Sequence, residues 1–299
     1  MEKEYSKEFT EVYDKVNSNL KKEKRSFLKK INDIRVSEML LYFLSFISLV
    51  AFFIAPVNDF KLMFFSVGMA MIVVALIFMI VNEIKIFGIK LDYKKEILKD
   101  FAKTISNDWE YKVDEPISEV YYKKSGFNQT YTKIYSDGYL KAKRNNKEIN
   151  MGNISVMKDI TKSNKNITVE AFNGIFAHTK IDSYVDEIDV MKTNSKNNIK
   201  QKLEIVDGKL YMYSENINKA RQVLNNNLLQ MIIDLEKELG IDIELMINEN
   251  DVFFRFFTAN TLSTNLFGSE DEKKALYDYY RISQFIINFT GELEKEINR

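Results

Sequence analysis

The only histidine of the chain, His178, is the first residue that could do chemistry. Four carboxylates follow it within eleven positions, and they are Asp182, Asp186, Glu187 and Asp189. An imidazole beside carboxylates can bind a divalent metal ion or form an acid–base pair. The spacing matches no established ligand motif, and alternation along a strand would place the first two carboxylates on one face and the last two on the other. A solvated strand face is therefore the favoured interpretation of this cluster.

Arg221 and the phenylalanines of 253–257 are the other candidates for contact with a ligand or partner. Arg221 could bind an anion, although a structural pair with a carboxylate is the favoured alternative. Phe254 and Phe256 share one side of a predicted strand, and the other two phenylalanines share the opposite side. A side left uncovered by a helix would be an exposed apolar patch and a candidate partner site. Burial of both sides is the favoured alternative.

Composition and motifs exclude several classes of site. The chain has no cysteine, which removes disulfides, thiolate metal ligands and a cysteine nucleophile. It contains no P-loop, GxGxxG, HExxH or GxSxG motif. Lys plus Arg and Asp plus Glu both number 43, so no basic excess indicates nucleic-acid binding. The sequence predicts no catalytic residue, no metal ligand and no cofactor, and it leaves enzymatic activity undecided, with a non-enzymatic role favoured.

Two apolar runs, 39–58 and 62–82, contain no charged residue. Crossing a hydrocarbon core about 30 Å thick takes about 20 helical residues, and inside lipid the backbone amides must be satisfied within the helix. The sequence predicts a transmembrane helical hairpin over 38–82, with its turn at 59–61 just after Pro56. A buried core hairpin of a soluble protein is the alternative. A cleaved signal peptide does not fit, because the charged region before the first run is far too long.

Basic residues flank both runs on one side of this predicted hairpin. The five nearest are Lys29, Lys30, Arg35, Lys85 and Lys90. The predicted turn contains only Lys61. Because Lys and Arg are retained on the cytoplasmic side, both termini are predicted to be cytoplasmic, in the inner membrane of a bacterium. These residues could also attract anionic lipids, although a purely topological role is the favoured alternative.

Apolar residues at helical spacing continue beyond both runs. The stripes consist of Phe9, Tyr13, Val16, Leu20, Phe27, Ile31 and Ile34 before the first run, and of Ile84, Phe87, Leu91, Leu98, Phe101 and Ile105 after the second. Both stripes leave the predicted membrane on the same side. They are therefore predicted to pack on each other as an antiparallel stalk. Pairing with a second copy of the chain would bury the same stripes and is the alternative.

From about residue 113 the helical period gives way to short alternating runs that predict strands. Three predicted hairpins turn at Asp137-Gly138, Asn173-Gly174 and Asp207-Gly208, because these dipeptides supply the positive φ angles of tight turns. A further connection at 248–251 joins two more strands. These turns predict a mainly antiparallel sheet.

Two helices, 218–239 and 269–297, complete the predicted domain. Gly240 ends the first, and Ser269 with Glu272 forms a capping box at the start of the second. The predicted fold class is therefore α+β. The predicted organisation is an amphipathic cytosolic helix (1–37), the transmembrane hairpin (38–82), a helical stalk (83–112) and a cytosolic α+β domain (113–299).

Four stretches of this domain carry a resemblance to known sequences. They are Ser-Asp-Gly-Tyr-Leu-Lys-Ala-Lys at 136–143, Phe-Asn-Gly-Ile-Phe at 172–176, Leu-Tyr-Met-Tyr-Ser-Glu-Asn-Ile-Asn-Lys-Ala-Arg at 210–221 and Phe-Phe-Arg-Phe-Phe at 253–257. With the two preceding apolar runs, they resemble the bacterial domain-of-unknown-function family 3137, which consists of uncharacterised membrane proteins. An acidic residue of the family pattern is replaced by Asn265-Leu-Phe. The resemblance implies an anchored cytosolic domain without an assigned activity.

Three functions are compatible with this organisation. The first is a binding or scaffold module, held at the inner face of the membrane, where tethering raises the local concentration of a partner. The second is a membrane-bound enzyme with an unrecognised site, and the third is an accessory subunit of a transport or envelope complex. The expected partners are the lipid bilayer and either another protein or a second copy of the chain. Nucleic acid is not expected.

Overall fold

The chain folds into an α+β structure, as predicted, with two compact units. The computed structural model describes residues 5–54, 58–106, 108–112, 115–127, 131–136, 138–144, 147–162, 165–192, 200–206, 210–258 and 270–299. One unit, here called the helical unit, contains residues 14–100. The other, the sheet unit, contains residues 5–13 and most of the chain from 101 onward.

Three helices occupy the N-terminal third of the chain. They are α1 (Lys7–Asn19), α2 (Lys21–Ile54) and α3 (Asn58–Ile105). Residues 59–61, predicted as the turn of the hairpin, lie instead in the first turn of α3. Segments Lys21–Ala51 and Leu62–Ile105 are long and apolar enough to cross a membrane, with mean hydropathies of 1.7 and 2.8 over their most apolar windows.

Large apolar side chains cover the outside of α2 and α3. Only 6% of the most apolar window of α2 and 11% of that of α3 is buried. Met39, Phe53 and Leu62 are 67%, 78% and 70% exposed. Soluble monomers rarely expose contiguous apolar patches larger than a few hundred Å², and larger ones mark contact with lipid or with another protein.

Side-chain contacts show that α2 and α3 run antiparallel within one chain. The rings of Phe27 and Tyr93 lie 5.6 Å apart, centroid to centroid. Further along, the Tyr42 hydroxyl donates to Met79 Sδ at 3.3 Å, and the Ser48 hydroxyl donates to a carbonyl oxygen, that of Phe64, at 3.2 Å. As the residue number rises along α2, the number of the residue that it contacts in α3 falls. The contact between Phe27 and Tyr93 lies in the region of the predicted stalk, whose intramolecular pairing stays a prediction.

The buried seam of α3 differs from the predicted stripe. Asn82, Ile86, Tyr93 and Ile97 are buried at spacings of four and seven, which is the repeat of paired helices. The predicted residues Ile84 and Phe87 are 67% and 56% exposed. In an α-helix these positions lie on a different face from Ile86 and Tyr93, so the prediction was wrong there.

The sheet unit contains eight antiparallel strands and four helices among its described residues. In chain order they are β1 (Trp109–Lys112), α4 (Glu119–Lys124), β2 (Lys133–Ser136), β3 (Tyr139–Arg144), β4 (Lys147–Lys162), β5 (Lys165–Met191), β6 (Gln201–Val206), β7 (Leu210–Ser214), α5 (Ile217–Val223), α6 (Asn226–Leu239), β8 (Asp242–Phe257) and α7 (Glu270–Ile297). The strand order is β1-β3-β4-β5-β7-β6, with β2 also paired to β4 and β8 to β5. The long strand β5 pairs with β8 on one side. On its other side it pairs first with β4 and then, near its C-terminal end, with β7.

The predicted turn at Asn173-Gly174 is wrong, because the chain continues through it inside β5. A Cβ at Gly174 would lie 2.1 Å from the carbonyl oxygen of Phe256 on β8. The glycine therefore allows a close approach of two strands and makes no turn.

The predicted connection at 248–251 falls within the range of β8. There Glu249 has a φ of 58° and the side chains of Glu244 and Arg255 are in contact, so the chain reverses direction at this point, as predicted.

The other two predicted hairpins have different outcomes. Strands β2 and β3 both pair antiparallel with β4, at different places along it, so they do not form a hairpin with each other. Strands β6 and β7 do pair as a hairpin, which confirms that prediction, with Val206 opposite Leu210. Asp137 and Asp207-Gly208 themselves lie outside the described residues.

The predicted helices are present with one break. Helices α5 and α6 replace a single helix over 218–239, because the Asn225 side chain accepts from the backbone N–H of Leu228 and caps a new helix. Gly240 ends α6 in the left-handed conformation, with a φ of 68°, as predicted. Helix α7 matches its predicted span, while Ser269 of the capping box lies outside the described residues.

Helices cover both faces of the central strands. On one face, the ring of Phe254 lies 5.7 Å from that of Phe285 and 5.5 Å from that of Phe289 on α7. On the other face, α4 contributes Tyr122 to an apolar cluster with Ile117, Ile154, Val156, Phe172, Phe176, Met246 and Phe253. Phe253, Phe254 and Phe256 are fully buried. The hypothesis of an exposed patch at 253–257 is therefore wrong, and both sides are covered.

Candidate functional site

His178 lies on the face of the sheet that carries α4. Strand register places it opposite Asn150 on β4 and opposite Phe253 on β8. Its side chain is 2% exposed. The Tyr121 ring, from α4, stacks on the imidazole with a centroid distance of 4.0 Å and an interplanar angle of 18°. This position makes the imidazole a buried part of the sheet–helix contact.

A carboxylate from the neighbouring strand binds the imidazole. His178 Nε2 and Asp251 Oδ1 are 2.6 Å apart. The other oxygen of Asp251 accepts from the ammonium of Lys124, at the end of α4. Glu249 Oε2 lies 3.8 Å from the same ammonium. The carboxylate is thus held between an imidazole and a cation.

Burial and these contacts set the protonation states. Burial lowers the pKa of His178, and the nearby anion Asp251 only partly opposes this shift. Burial raises the pKa of Asp251, but hydrogen bonds from Lys124 and His178 outweigh it and leave that pKa below its usual range. At neutral pH the imidazole is neutral and donates its Nε2 proton to an anionic carboxylate. Nδ1 therefore carries a free lone pair.

We expect stability to depend on pH through His178. Because its folded-state pKa is below the ordinary value of 6.5, its contribution is complete above pH 6.5 and is lost as the pH falls through the folded-state pKa. The free energy of unfolding in urea, followed by the fluorescence of the single tryptophan, Trp109, should fall between pH 7.5 and pH 5.

His178→Gln serves as the control for this titration. It removes the only histidine, while the other titrating groups, including the buried carboxyls of Asp189 and Glu236 whose pKa values burial raises, stay in place. The difference in unfolding free energy between wild type and variant should shrink as the pH falls. A difference that stays constant over this range would contradict the assigned protonation state.

A groove of about 470 Å³ opens beside this network. Its lining includes Tyr121, Lys147, Asn150, His178, Lys180 and Asp182. Two buried atoms in the lining, Asn150 Nδ2 and His178 Nδ1, have no hydrogen-bond partner among the described residues. Such atoms are rare in folded proteins. Asn150 and His178 therefore supply an unused donor and an unused acceptor among the residues that line the groove.

The four carboxylates that follow His178 in the sequence do not converge on its imidazole. Each of them instead pairs with a lysine: Asp182 with Lys147 at 3.0 Å, Asp186 with Lys219 at 2.8 Å, Glu187 with Lys200 at 2.9 Å, and Asp189 also with Lys200. In the part of the chain that the structure describes, no three His, Asp or Glu side chains are placed to hold a metal ion. The real partner, Asp251, was missed because 73 residues separate it from His178.

The remaining candidate residues are not brought together. Arg221 is exposed on α5. Phe254 and Phe256 are buried beneath α7, so these two phenylalanines cannot contact a partner without unfolding. In the helical unit, Lys29, Lys30, Arg35 and Lys85 are exposed and Lys90 is half-buried. Their positions next to the apolar segments agree with the predicted flanks.

A second buried ion pair was also missed from the sequence. Arg255 on β8 donates from Nε to Glu244 Oε2 at 2.9 Å and from its terminal nitrogen to the Tyr122 hydroxyl at 3.2 Å. The guanidinium lies 4.4 Å from the ring centroid of Phe127 and 5.2 Å from that of Phe172. Because every one of these contacts is internal, we interpret this cluster as structural.

Chemically, the His178 network can accept or relay a proton through Nδ1. Its imidazole contacts no serine or threonine hydroxyl among the described residues, so it lacks the nucleophile of a hydrolytic triad. The arrangement is suited to hydrogen bonding with a bound group more than to covalent catalysis.

Comparisons with known proteins add one likeness. No family model matches the chain, and no curated protein matches it. Among solved structures, the crystal structure of the mycobacterial trehalose monomycolate transport factor A, TtfA, matches with 12% sequence identity and a TM-score of 0.36. The match covers 66% of this chain and 94% of that chain. A likeness of this size leaves function to be inferred from the chain's own residues.

Proposed function

We propose that this protein is a membrane-anchored binding module, with α2 and α3 crossing the lipid bilayer and the sheet unit carrying the binding site. The supporting observation is the outer surface of α2 and α3, where large apolar side chains between Met39 and Ile80 are exposed. In water that surface would cost about 25 cal/mol for each Å² left uncovered. In lipid it needs no further protein partner.

The proposed topology places both termini in the cytoplasm. Exposed basic residues lie at the ends of α2 and α3 that are remote from their connection. Retention of such residues on the cytoplasmic side supports this orientation. Membership of family 3137, which would agree with it, stays a prediction.

An enzyme is the second candidate, favoured by the His178–Asp251 pair alone. A buried imidazole with a free Nδ1 could act as a general base toward a substrate in the adjacent groove. The binding role requires fewer assumptions, because no nucleophile or metal ligand set accompanies the imidazole among the described residues. An accessory role in a larger envelope or transport complex would use the same anchor and the same groove.

The absence of cysteine makes the topology directly testable. In intact cells whose inner membrane is accessible from outside, a membrane-impermeant maleimide should label Asn58→Cys, between the two apolar segments. It should label Lys219→Cys, on the sheet unit, only after lysis. Ile77→Cys, within the second apolar segment, should remain unlabelled in both conditions, because a thiol in lipid does not ionise.

Two controls accompany this labelling. The cysteine-free parent chain sets the background, and denaturation in detergent should expose Ile77→Cys and show that its thiol is intact. Labelling of Lys219→Cys in intact cells would contradict the cytoplasmic placement of the sheet unit. Labelling of Ile77→Cys in native membranes would contradict the proposed span.

A further inference from the structure

The groove beside His178 has a chemistry that selects one class of ligand. Its floor combines Asn150 and His178, which lie directly opposite each other on β4 and β5 and are 3% and 2% exposed. Cross-strand neighbours of this kind have side chains about 5 Å apart on one face of a sheet. Both side chains line the groove, and neither Asn150 Nδ2 nor His178 Nδ1 has a partner among the described residues.

The Asp251 carboxylate decides what His178 can offer to a ligand. Asp251 accepts from the Lys124 ammonium through one oxygen and lies 2.6 Å from His178 Nε2 through the other. An anionic carboxylate at Nε2 requires the proton to be there, so Nδ1 is an acceptor. The unpartnered nitrogen of Asn150 is a donor. A ligand group that satisfies both atoms must donate one hydrogen bond and accept another.

Charged ligands do not fit this pair. A fully deprotonated anion, such as a carboxylate, has no proton to give to His178 Nδ1. An alkylammonium ion has no lone pair for the Asn150 amide, and it would also meet the ammonium groups of Lys147 and Lys180 in the groove wall. The wall carries Glu148 and Asp182 as well, so its charges balance and it attracts neither sign strongly.

We propose that Asn150 and His178 form a binding site for an uncharged group that both donates and accepts a hydrogen bond, which is a hydroxyl or an amide. The groove volume of about 470 Å³ is in the range of small-molecule sites. The proposal deepens the binding role given above and uses none of the observations on membrane insertion. If the proposed membrane anchor is wrong, the maleimide labelling shows it. If the proposed ligand class is wrong, only the measurement described below shows it.

The single histidine provides a direct probe of this site. The full-length chain, labelled with ¹⁵N only in histidine, gives one pair of ring nitrogen resonances, both from His178. Without ligand at pH 7.5, Nε2 should be protonated and Nδ1 unprotonated. A proton on Nδ1 would overturn the proposal before any ligand is added. This measurement of the protonation state uses the wild-type chain alone.

Four probes then test the ligand class. Glycerol supplies hydroxyls, N-methylacetamide supplies an amide, acetate supplies an anion and methylammonium supplies a cation. We expect saturable shifts of the Nδ1 resonance with at least one of the two uncharged probes, and whichever binds more tightly identifies the source of the group. No saturable shift with either uncharged probe, or equally tight binding of a charged probe, would overturn the proposal.

Asn150→Asp is the sharpest variant, because it exchanges the donor for an acceptor at almost constant shape. It should weaken binding of the uncharged probe about tenfold or more, since a buried hydrogen bond is lost. Asn227→Asp makes the same change on the exposed surface of α6 and should leave binding unchanged. Unaltered affinity in Asn150→Asp, with the Nε2–Asp251 hydrogen bond intact in the spectrum, would show that Asn150 takes no part.

Discussion

Arg255→Met should destabilise the sheet unit by about 3–5 kcal/mol. The reason is the charge left behind, because the Glu244 side chain is only 7% exposed and would lose the guanidinium that compensates it. The Tyr122 hydroxyl would also lose the hydrogen bond from Arg255, and the rings of Phe127 and Phe172 would lose a cation at 4.4 Å and 5.2 Å from their centroids. Urea denaturation followed by the fluorescence of Trp109, which is 4% exposed on β1, measures this loss.

Two comparisons separate the buried charge from a general effect of losing an arginine. Arg221→Met makes the same change at an exposed position and should alter stability by less than about 0.5 kcal/mol. The double variant Arg255→Met with Glu244→Leu removes both charges and should recover much of the loss. An Arg255→Met chain as stable as Arg221→Met would contradict the assignment of this pair as a structural centre of the sheet.

Gly174→Ala should destabilise the sheet unit by at least about 2 kcal/mol. The new methyl carbon would lie 2.1 Å from the carbonyl oxygen of Phe256 and 3.2 Å from the backbone nitrogen of Thr258. Both obstructing atoms belong to backbone, so no side-chain rotation can relieve the clash. Strands β5 and β8 would have to move apart where they pair. The same Trp109 fluorescence assay measures the change.

Gly291→Ala is the matched control, and its expected effect has the opposite sign. No atom outside its own turn of α7 lies within 4 Å of a Cβ at this position. Alanine in a helix is favoured over glycine by about 0.5–1 kcal/mol, so the variant should be slightly more stable than wild type. Equal effects of the two substitutions would mean that strands β5 and β8 do not approach as closely as described.

Local physics made much of this fold predictable. The apolar lengths of α2 and α3, the cap at Gly240 and the hairpin between β6 and β7 each depend on a few neighbouring residues, and all of them are present. The intramolecular pairing of α2 with α3 was predictable for a similar reason, because a short connection forces adjacent helices to be neighbours.

Contacts between distant residues were not predictable in the same way. Asn173-Gly174 has the sequence of a tight turn, yet β8 packs so closely on it that glycine is required within a strand. Asp251 reaches His178 only through the register of β5 against β8, which places it opposite Lys180, two positions from His178, and which no local pattern records. The pair of Asn150 and His178 depends equally on the register of β4 against β5.

The signal that could have indicated these residues is weak but identifiable. Arg255 interrupts a run of four phenylalanines, and a charge at the centre of such a run needs a buried partner. The sequence shows that need without showing which of the acidic residues meets it. The choice is resolved only by the reversal of the chain within β8, which brings Glu244, eleven positions earlier in the sequence, against Arg255.

Partition of the full-length chain between membrane and water tests the central claim most directly. After membranes are washed with alkaline carbonate and sedimented, the protein should remain entirely in the pellet and be released only by detergent. A variant with arginine at Ile47, Val50, Ile77 and Ile80, where each charge costs about 2.5–3.5 kcal/mol in lipid, should lose this association. Wild-type protein recovered in the supernatant would show that lipid does not surround α2 and α3, and the proposed anchor would be wrong.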